Sequence, residues 1–470
     1  MKKIIRGILF LSILFLILYR VYNILEWKDT SGDYLSSTTQ LYSTGDELID
    51  VVFFGSSHCY CAANPDALWR EYGYAAFNMT TSGQDKQSTY YLLKEILKTQ
   101  SPKVVCVELW GLTFDRHAIQ GNVYRNMMAM NLSRNSIDLV QAYVDEEEQA
   151  DYILRWPIMH TRYKELRKYD FKTYEYSEYG RGLEMSYRIG WSEVPTAAIE
   201  YTKVGELTDT NREWLESLYK LSEEEGFELV LFLAPTAISN ECQEQVNAAQ
   251  EFAQQRGITF FDFNKLAFDI GLDYGCDFID GTHLNARGSE KVTKHFGQYF
   301  EENCALEDNR GDEAYYQWEQ SYTHYEQVRQ EVQLLSISNF EDYAKQLENM
   351  NHITYVVSFE GIYKQSTLEL ENYAKALGIS KELYETGGTF VFADGEMKHV
   401  LDNESNEVVI HELNKYDAFK FENMEPREDG GSNLGEMMLN MDSVGSIYSG
   451  LNIVVYDNFR EKIIDKRGYY

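Results

Sequence analysis

The stretch Val51-Val52-Phe53-Phe54-Gly55-Ser56-Ser57-His58 constrains this chain more than any other. Four β-favouring residues in a row, with no polar alternation, predict a strand covered on both faces, which is the habit of a parallel sheet. Gly55 lets the backbone turn sharply, and two serines and a histidine follow on the turn. Asn64-Pro65-Asp66 then gives a helix start, an Asn cap with Pro in the first turn, leading into Ala67-Leu68-Trp69-Arg70. A hydroxyl at the carboxyl end of a parallel strand stands where open α/β sheets place their ligands. The plainer alternative is a Ser-rich turn that only caps the next helix.

A second stretch, Asp277-Phe278-Ile279-Asp280-Gly281-Thr282-His283-Leu284-Asn285-Ala286-Arg287-Gly288, shifts the balance. An Asp three residues before a His can turn both side chains to one point, so that the carboxylate orients the imidazole and the other ring nitrogen faces a serine. Ser57, His283 and Asp280 are then nucleophile, base and orienter. Here the sequence resembles the SGNH or GDSL-type hydrolases. Their last block is matched by Asp280, His283, Leu284, Asn285 and Gly288, while Ser56 stands where their first block has Asp. The Gly-Ser-Ser form behind an apolar amino-terminal segment is most similar to the D-alanine transfer protein of teichoic-acid modification and to cell-surface polysaccharide O-acetylation proteins.

That resemblance implies an α/β fold, an SGNH-like parallel sheet flanked by helices. It also implies an oxyanion hole from the backbone N–H groups of Ser57 and Gly83. The Asn usual after the third strand is absent, since the chain reads Glu108-Leu109-Trp110-Gly111 there. A two-donor hole, or help from Gln84, then has to be supposed, with Glu108 structural or a substrate contact. His58 and Trp110 are further candidates to touch substrate, and His58 alternatively assists proton transfer. No cofactor is implied.

Met1-Lys2-Lys3-Ile4-Ile5-Arg6 is a basic tip before an apolar run from Gly7 to Tyr19 that continues past Arg20. Snorkelling of Arg6 and Arg20 extends it to a span of roughly 20 residues. Residues 1–28 therefore read as an uncleaved transmembrane signal anchor, with a removed signal peptide as the alternative. The basic tip places the amino terminus in the cytoplasm and the bulk of the chain outside the cell membrane. A formal net charge of −32 argues against nucleic acid, and against an anionic membrane surface, as partner. Six cysteines permit disulfides, with Cys242 and Cys276 an open pair. Cys59 and Cys61 are too close to pair comfortably, and with His58 they have the wrong spacing for structural zinc, so no metal site is expected.

Residues 29–50 read as a polar juxtamembrane connection and 51–303 as the SGNH-like domain. Its strands are expected at 74–78, 103–109, 229–234 and 259–262, and its helices at 87–98, 211–224 and 286–300. A helical insertion at about 121–188 extends or covers the site, with Trp156, His160 and Arg162 as ligand contacts or as parts of a solvated lid. Residues 304–337 read as an acidic helical connector. Residues 338–470 form a smaller α+β domain whose strand at Tyr355, helix ending at Gly378 and closing Gly450–Asp457 strand resemble an interleukin-like EMT-inducer domain. That resemblance implies carbohydrate recognition, against the alternative of a structural accessory domain.

Together these features lead to an expected membrane-anchored acyltransferase or esterase acting on a cell-envelope glycan or polyol polymer. A membrane-embedded acyl-exporting partner is implied by resemblance. The alternatives are a carbohydrate O-acetylesterase and a non-catalytic glycan-binding scaffold.

Overall fold

The computed structural model describes residues 2–28, 35–113, 120–128, 130–171, 179–182, 185–190, 192–195, 199–360, 368–386, 388–401, 408–415, 417–423, 435–440, 442–446 and 450–469. Parts of the insertion read at 121–188 lie outside these residues, as does Glu407, the first residue of the run Glu407-Val408-Val409-Ile410-His411 whose apolar centre predicts a strand. The chain divides into two compact units, Met1–Tyr325 and Glu326–Tyr470. The division falls inside the stretch read as a connector, within a single long helix, Tyr316–Ser336.

The first unit opens with α1 (Lys2–Leu25), whose stretch Ile4–Leu25 is long and apolar enough to cross a membrane. At 1.5 Å per residue its 22 residues cover about 33 Å, the thickness of a hydrocarbon core. α2 (Leu35–Ser43) follows within the expected polar connection. Its Ser36, Ser37, Thr38 and Gln40 side chains are buried rather than solvated. Gln40 accepts the Gly182 N–H and donates to the Tyr179 carbonyl.

Five strands make a wholly parallel sheet: β1 (Val51–Gly55), β2 (Ala76–Thr80), β3 (Val104–Glu108), β4 (Glu228–Leu233) and β5 (Thr259–Asp262), in the order β2-β1-β3-β4-β5. Both faces are covered, which is why β1 carries no polar alternation. Val52 and Phe54 join a core with Leu92, Leu93, Leu215 and Leu218, whereas Val51 and Phe53 join one with Leu68, Val292 and Phe296. The helices α3 (Ser57–Ala62), α4 (Pro65–Tyr72) and α5 (Lys86–Ile96) follow β1 and β2. The insertion brings α6 (Gln120–Met128), α7 (Arg134–Tyr143), α8 (Glu146–Leu154) and α9 (Trp156–Met159), then short 3₁₀ turns at His160–Lys164 and Lys168–Phe171. Helices Asp209–Glu225, Asn240–Arg256 and Ala286–Asn303 complete the unit. Strand order changes direction between β1 and β3, so their carboxyl ends flank the topological switch point of the sheet.

In the second unit the expected elements are joined by strands that the sequence did not announce. β6 (Ile353–Glu360), β7 (Gly388–Ala393), β8 (Glu396–Leu401), β13 (Gly450–Asp457) and β14 (Lys462–Tyr469) form one antiparallel sheet. β9 (Val409–Glu412), β10 (Ala418–Asn423), β11 (Gly435–Leu439) and β12 (Asp442–Ser446) form a second. Helices Phe340–Asn349 and Leu368–Ala376 pack on the first through Phe340, Leu347 and Leu370.

Candidate active site

β1 delivers its last residue, Gly55, at φ +154. A Cβ built there would stand 2.6 Å from Glu108 Cβ and 2.8 Å from Cys59 Cβ, so only glycine lets the turn approach β3 this closely. Ser56 is the N-cap of α3 and Ser57 its first helical residue. The elbow therefore turns the Ser57 side chain out at the carboxyl end of the sheet, with its backbone N–H in the first turn of a helix, where N–H groups lack partners within the helix.

The second half of the site is a tight loop. Asp277, fully buried, is paired to Lys291 at 2.5 Å and accepts the Asp273 N–H at 2.7 Å. Asn285 caps the helix Ala286–Asn303 by accepting the N–H groups of Arg287 and Gly288, while its amide donates to the Cys276 carbonyl. Gly288 is required by contact, since a Cβ there would lie 2.4 Å from the Asp277 carbonyl. Between these anchors the Asp280 carboxylate accepts the N–H groups of Thr282 at 2.9 Å and His283 at 3.0 Å. It also lies 3.1 Å, through both oxygens, from His283 Nδ1.

His283 Nε2 is 2.9 Å from Ser57 Oγ. A carboxylate only accepts, so Nδ1 carries the ring proton and Nε2 is left to accept from the serine hydroxyl. Partial burial raises the Asp280 pKa, but the Thr282 N–H and the His283 ring and N–H outweigh it and hold the carboxyl below its usual range. The Asp280 side chain is 55% exposed and that of His283 24%, so the site is open at the surface.

The structure brings the remaining predicted residues near the elbow, in positions that spacing alone does not give. The His58 ring is buried and stacked on His283, with centroids 4.7 Å apart, and it lies 5.0 Å from the Trp110 ring on another side. Burial, then the adjacent His283 ring, drives its pKa down to about 3, so it is neutral. His58 Nδ1 is 3.1 Å from Ser56 Oγ, and Ser56 Oγ donates to Glu108 Oε2 at 3.2 Å. Glu108 is fully enclosed and also accepts the Trp110 N–H at 2.7 Å, as well as the backbone N–H groups of Ser56 and Ala234. Even with these donors, burial raises its pKa to about 8. It ties the ends of β1, β3 and β4 together from behind the elbow.

Gln84 is likewise buried. It accepts the Gly55 N–H at 3.1 Å and the Thr89 hydroxyl at 3.0 Å, and donates to the Met79 carbonyl at 3.2 Å, so its amide fastens β1 to β2 rather than facing substrate. Gly83, just beyond β2, has φ +64. Of the insertion residues, Arg162 is buried against the end of α1. Trp156 and His160 are exposed. All six cysteines are unpaired, Cys242 and Cys276 included. Sequence reasoning missed Ser56 as the link between His58 and Glu108; its only signal was that it occupies the place of a usually acidic residue beside the nucleophile.

No protein-family model and no curated protein matches the chain. Among solved structures it is similar to a putative acylhydrolase from Bacteroides fragilis, with 14% identity over 59% of this chain and all of that one and a TM-score of 0.30. It is also similar to an extracellular lipase from Streptomyces rimosus, with 11% identity over 53% of this chain and 99% of that one and a TM-score of 0.25.

Proposed function

We propose that the chain is a serine enzyme of SGNH type that moves an acyl group through Ser57, His283 and Asp280. The observation that carries this is the 2.9 Å contact between His283 Nε2 and Ser57 Oγ, with Asp280 holding the other ring nitrogen. His283 takes the serine proton as Oγ attacks an ester carbonyl, and Asp280 stabilises the imidazolium. The oxyanion is held by the N–H groups of Ser57 and Gly83. Collapse breaks the ester C–O bond, and the proton on His283 passes to the departing alkoxide, leaving an acyl-serine. An incoming hydroxyl then gives its proton to His283 and takes the acyl group, which restores Ser57.

The acceptor we favour is a sugar or polyol hydroxyl of a cell-envelope polymer, giving an acyltransferase held at the outer face of the membrane by α1. Two features support this. The site is open, which suits a polymer better than an enclosed small molecule, and α1 is long enough to span. In this reading the donor comes from a membrane-embedded acyl-exporting partner, and the second unit is an accessory, carbohydrate-binding domain. Hydrolysis, as by an O-acetylesterase, differs only in that water is the acceptor.

The test is to acylate the full chain with p-nitrophenyl acetate and chase with water alone or with water and a glycan acceptor. An acetyl mass on the Ser57 peptide that is released faster by the acceptor, with acetyl appearing on sugar, supports transfer. Release at the same rate as free acetate in both chases supports the esterase. A chain that gives neither acetyl-serine nor Ser57-dependent release of p-nitrophenol would contradict both.

A further inference from the structure

The carboxyl end of α1 is not a loose tether. Arg162, 4% exposed, donates to the carbonyls of Leu25 at 2.9 Å and Glu26 at 2.6 Å, and to Asp170 at 2.8 Å. These are carbonyls that the end of a helix leaves without partners inside it. The same guanidinium lies 5.0 Å from the Trp27 ring, and Trp27 packs edge-on against Tyr124 at 4.8 Å. Tyr22 stacks on Trp156 at 6.3 Å. The insertion is thereby fastened to the last turn of the apolar helix.

Beside that joint the surface is apolar, aromatic and basic. Leu154, Tyr163 and Phe171 are 67%, 63% and 64% exposed, and Trp156 and Tyr169 also reach solvent. Between them Lys164, Arg167 and Lys168 are exposed. Among the described residues none of these three side chains has an ion-pair partner. Residues 160–171 hold Arg162, Lys164, Arg167 and Lys168 against Glu165 and Asp170, a positive stretch in a chain of net charge −32. α8 has the same polarity along its length. Its acidic first turn, Glu146 to Glu148, is at the far end from Leu154 and Trp156.

Resting on the reading of α1 as a membrane anchor, we infer that the exposed side chains of Leu154, Trp156, Tyr163, Lys164, Lys168 and Phe171 lie in the lipid interface where α1 emerges. Exposed aromatic rings with an apolar body and a polar tip favour the headgroup level, and lysine and arginine there meet phosphate. A residue packed against Leu25–Trp27 stands at the depth of that helix end, which favours lipid over a protein partner as the occupant. The acidic charge of the whole chain opposes an anionic surface, and the sign is reversed locally at this face. The catalytic unit is then held at a fixed height and tilt over the bilayer.

The test uses the full chain in phosphatidylglycerol–phosphatidylcholine vesicles, with Cys242, Cys276 and Cys304 replaced by serine and one spin label placed at Leu154, Tyr163, Phe171, Leu14 or Glu223. Circular dichroism melting confirms that each variant is folded. Collision with oxygen against a water-soluble nickel complex reads depth. The proposal predicts that the labels at 154, 163 and 171 favour oxygen, as the Leu14 label in α1 does, whereas the Glu223 label in the acidic end of Asp209–Glu225 favours nickel. Labels at 154, 163 and 171 that behave like Glu223 while Leu14 remains in lipid would overturn the interface alone. A nickel-accessible Leu14 label would remove the anchor and the proposal with it. Labels that become shielded from both reagents only in native membranes would assign the face to a protein partner instead and overturn the lipid assignment.

Discussion

The His58 imidazole lies against that of His283, ring centroids 4.7 Å apart and planes 19° apart, so the residue next to the proposed nucleophile is stacked on the proposed base. His58 is kept neutral by burial, and that matters, because the base must become a cation in the transition state. A second cation at this distance would oppose it by about 3.5 kcal/mol at an effective dielectric constant of about 20.

Replacing His58 with arginine should therefore slow acylation of Ser57 roughly a hundredfold or more, by that repulsion. His58→Phe keeps an uncharged ring in the stack and should stay within about tenfold of wild type. Rates of p-nitrophenyl acetate burst formation measure both. Equal loss in the two variants would show that the ring acts through its nitrogens rather than through its neutrality.

Glu108 should make stability fall as pH rises. Its carboxyl keeps its proton up to about 8 in the folded chain, whereas the unfolded chain releases it near the ordinary value of 4.5. Between those values the folded state binds more protons, so stability is full below about 4.5 and is lost as pH climbs toward 8. Glu108→Gln should flatten this part of the Tm–pH curve whatever its absolute Tm. A variant whose Tm falls as steeply as wild type between pH 5 and 8 would place the titration elsewhere.

The two acids of the last block should separate stability from activity. Asp277 is fully buried and paired to Lys291, so Asp277→Asn strands a charge and should destabilise by about 3 kcal/mol. Asp280 is half exposed, so Asp280→Asn should change Tm little, yet lower acylation by about 10³-fold or more through the wrong imidazole tautomer. Chemical denaturation and burst kinetics on the same two proteins read the contrast, and reversed effects would refute it.

What could be read in the sequence was local. The uninterrupted Val51–Phe54 run meant a strand buried on both faces, and Asp280, His283 and Asn285 belong to one loop whose bonds run over a few residues. Ser57 lies 226 positions from His283, so no local bond announces their contact. The parts that were not legible depend on pairing between distant segments. Gln84 reads as a helper of the oxyanion hole, but its partners, Gly55 and Met79, are set by sheet register. Arg162 reads as a ligand contact or part of a solvated lid, and its burial follows from the end of α1. In the second unit, β8 and β14 have long polar faces that suppress an apolar pattern, as Glu396, Lys398 and His399 illustrate.

The measurement that bears most directly on Ser57 as an activated nucleophile is fluorophosphonate labelling of the full chain, alongside Ser57→Ala, Ser56→Ala and His283→Ala. The account predicts a labelled wild type, labelling lost in Ser57→Ala and His283→Ala, and labelling kept in Ser56→Ala. Labelling that survives Ser57→Ala, or a folded wild type that does not react, would contradict it.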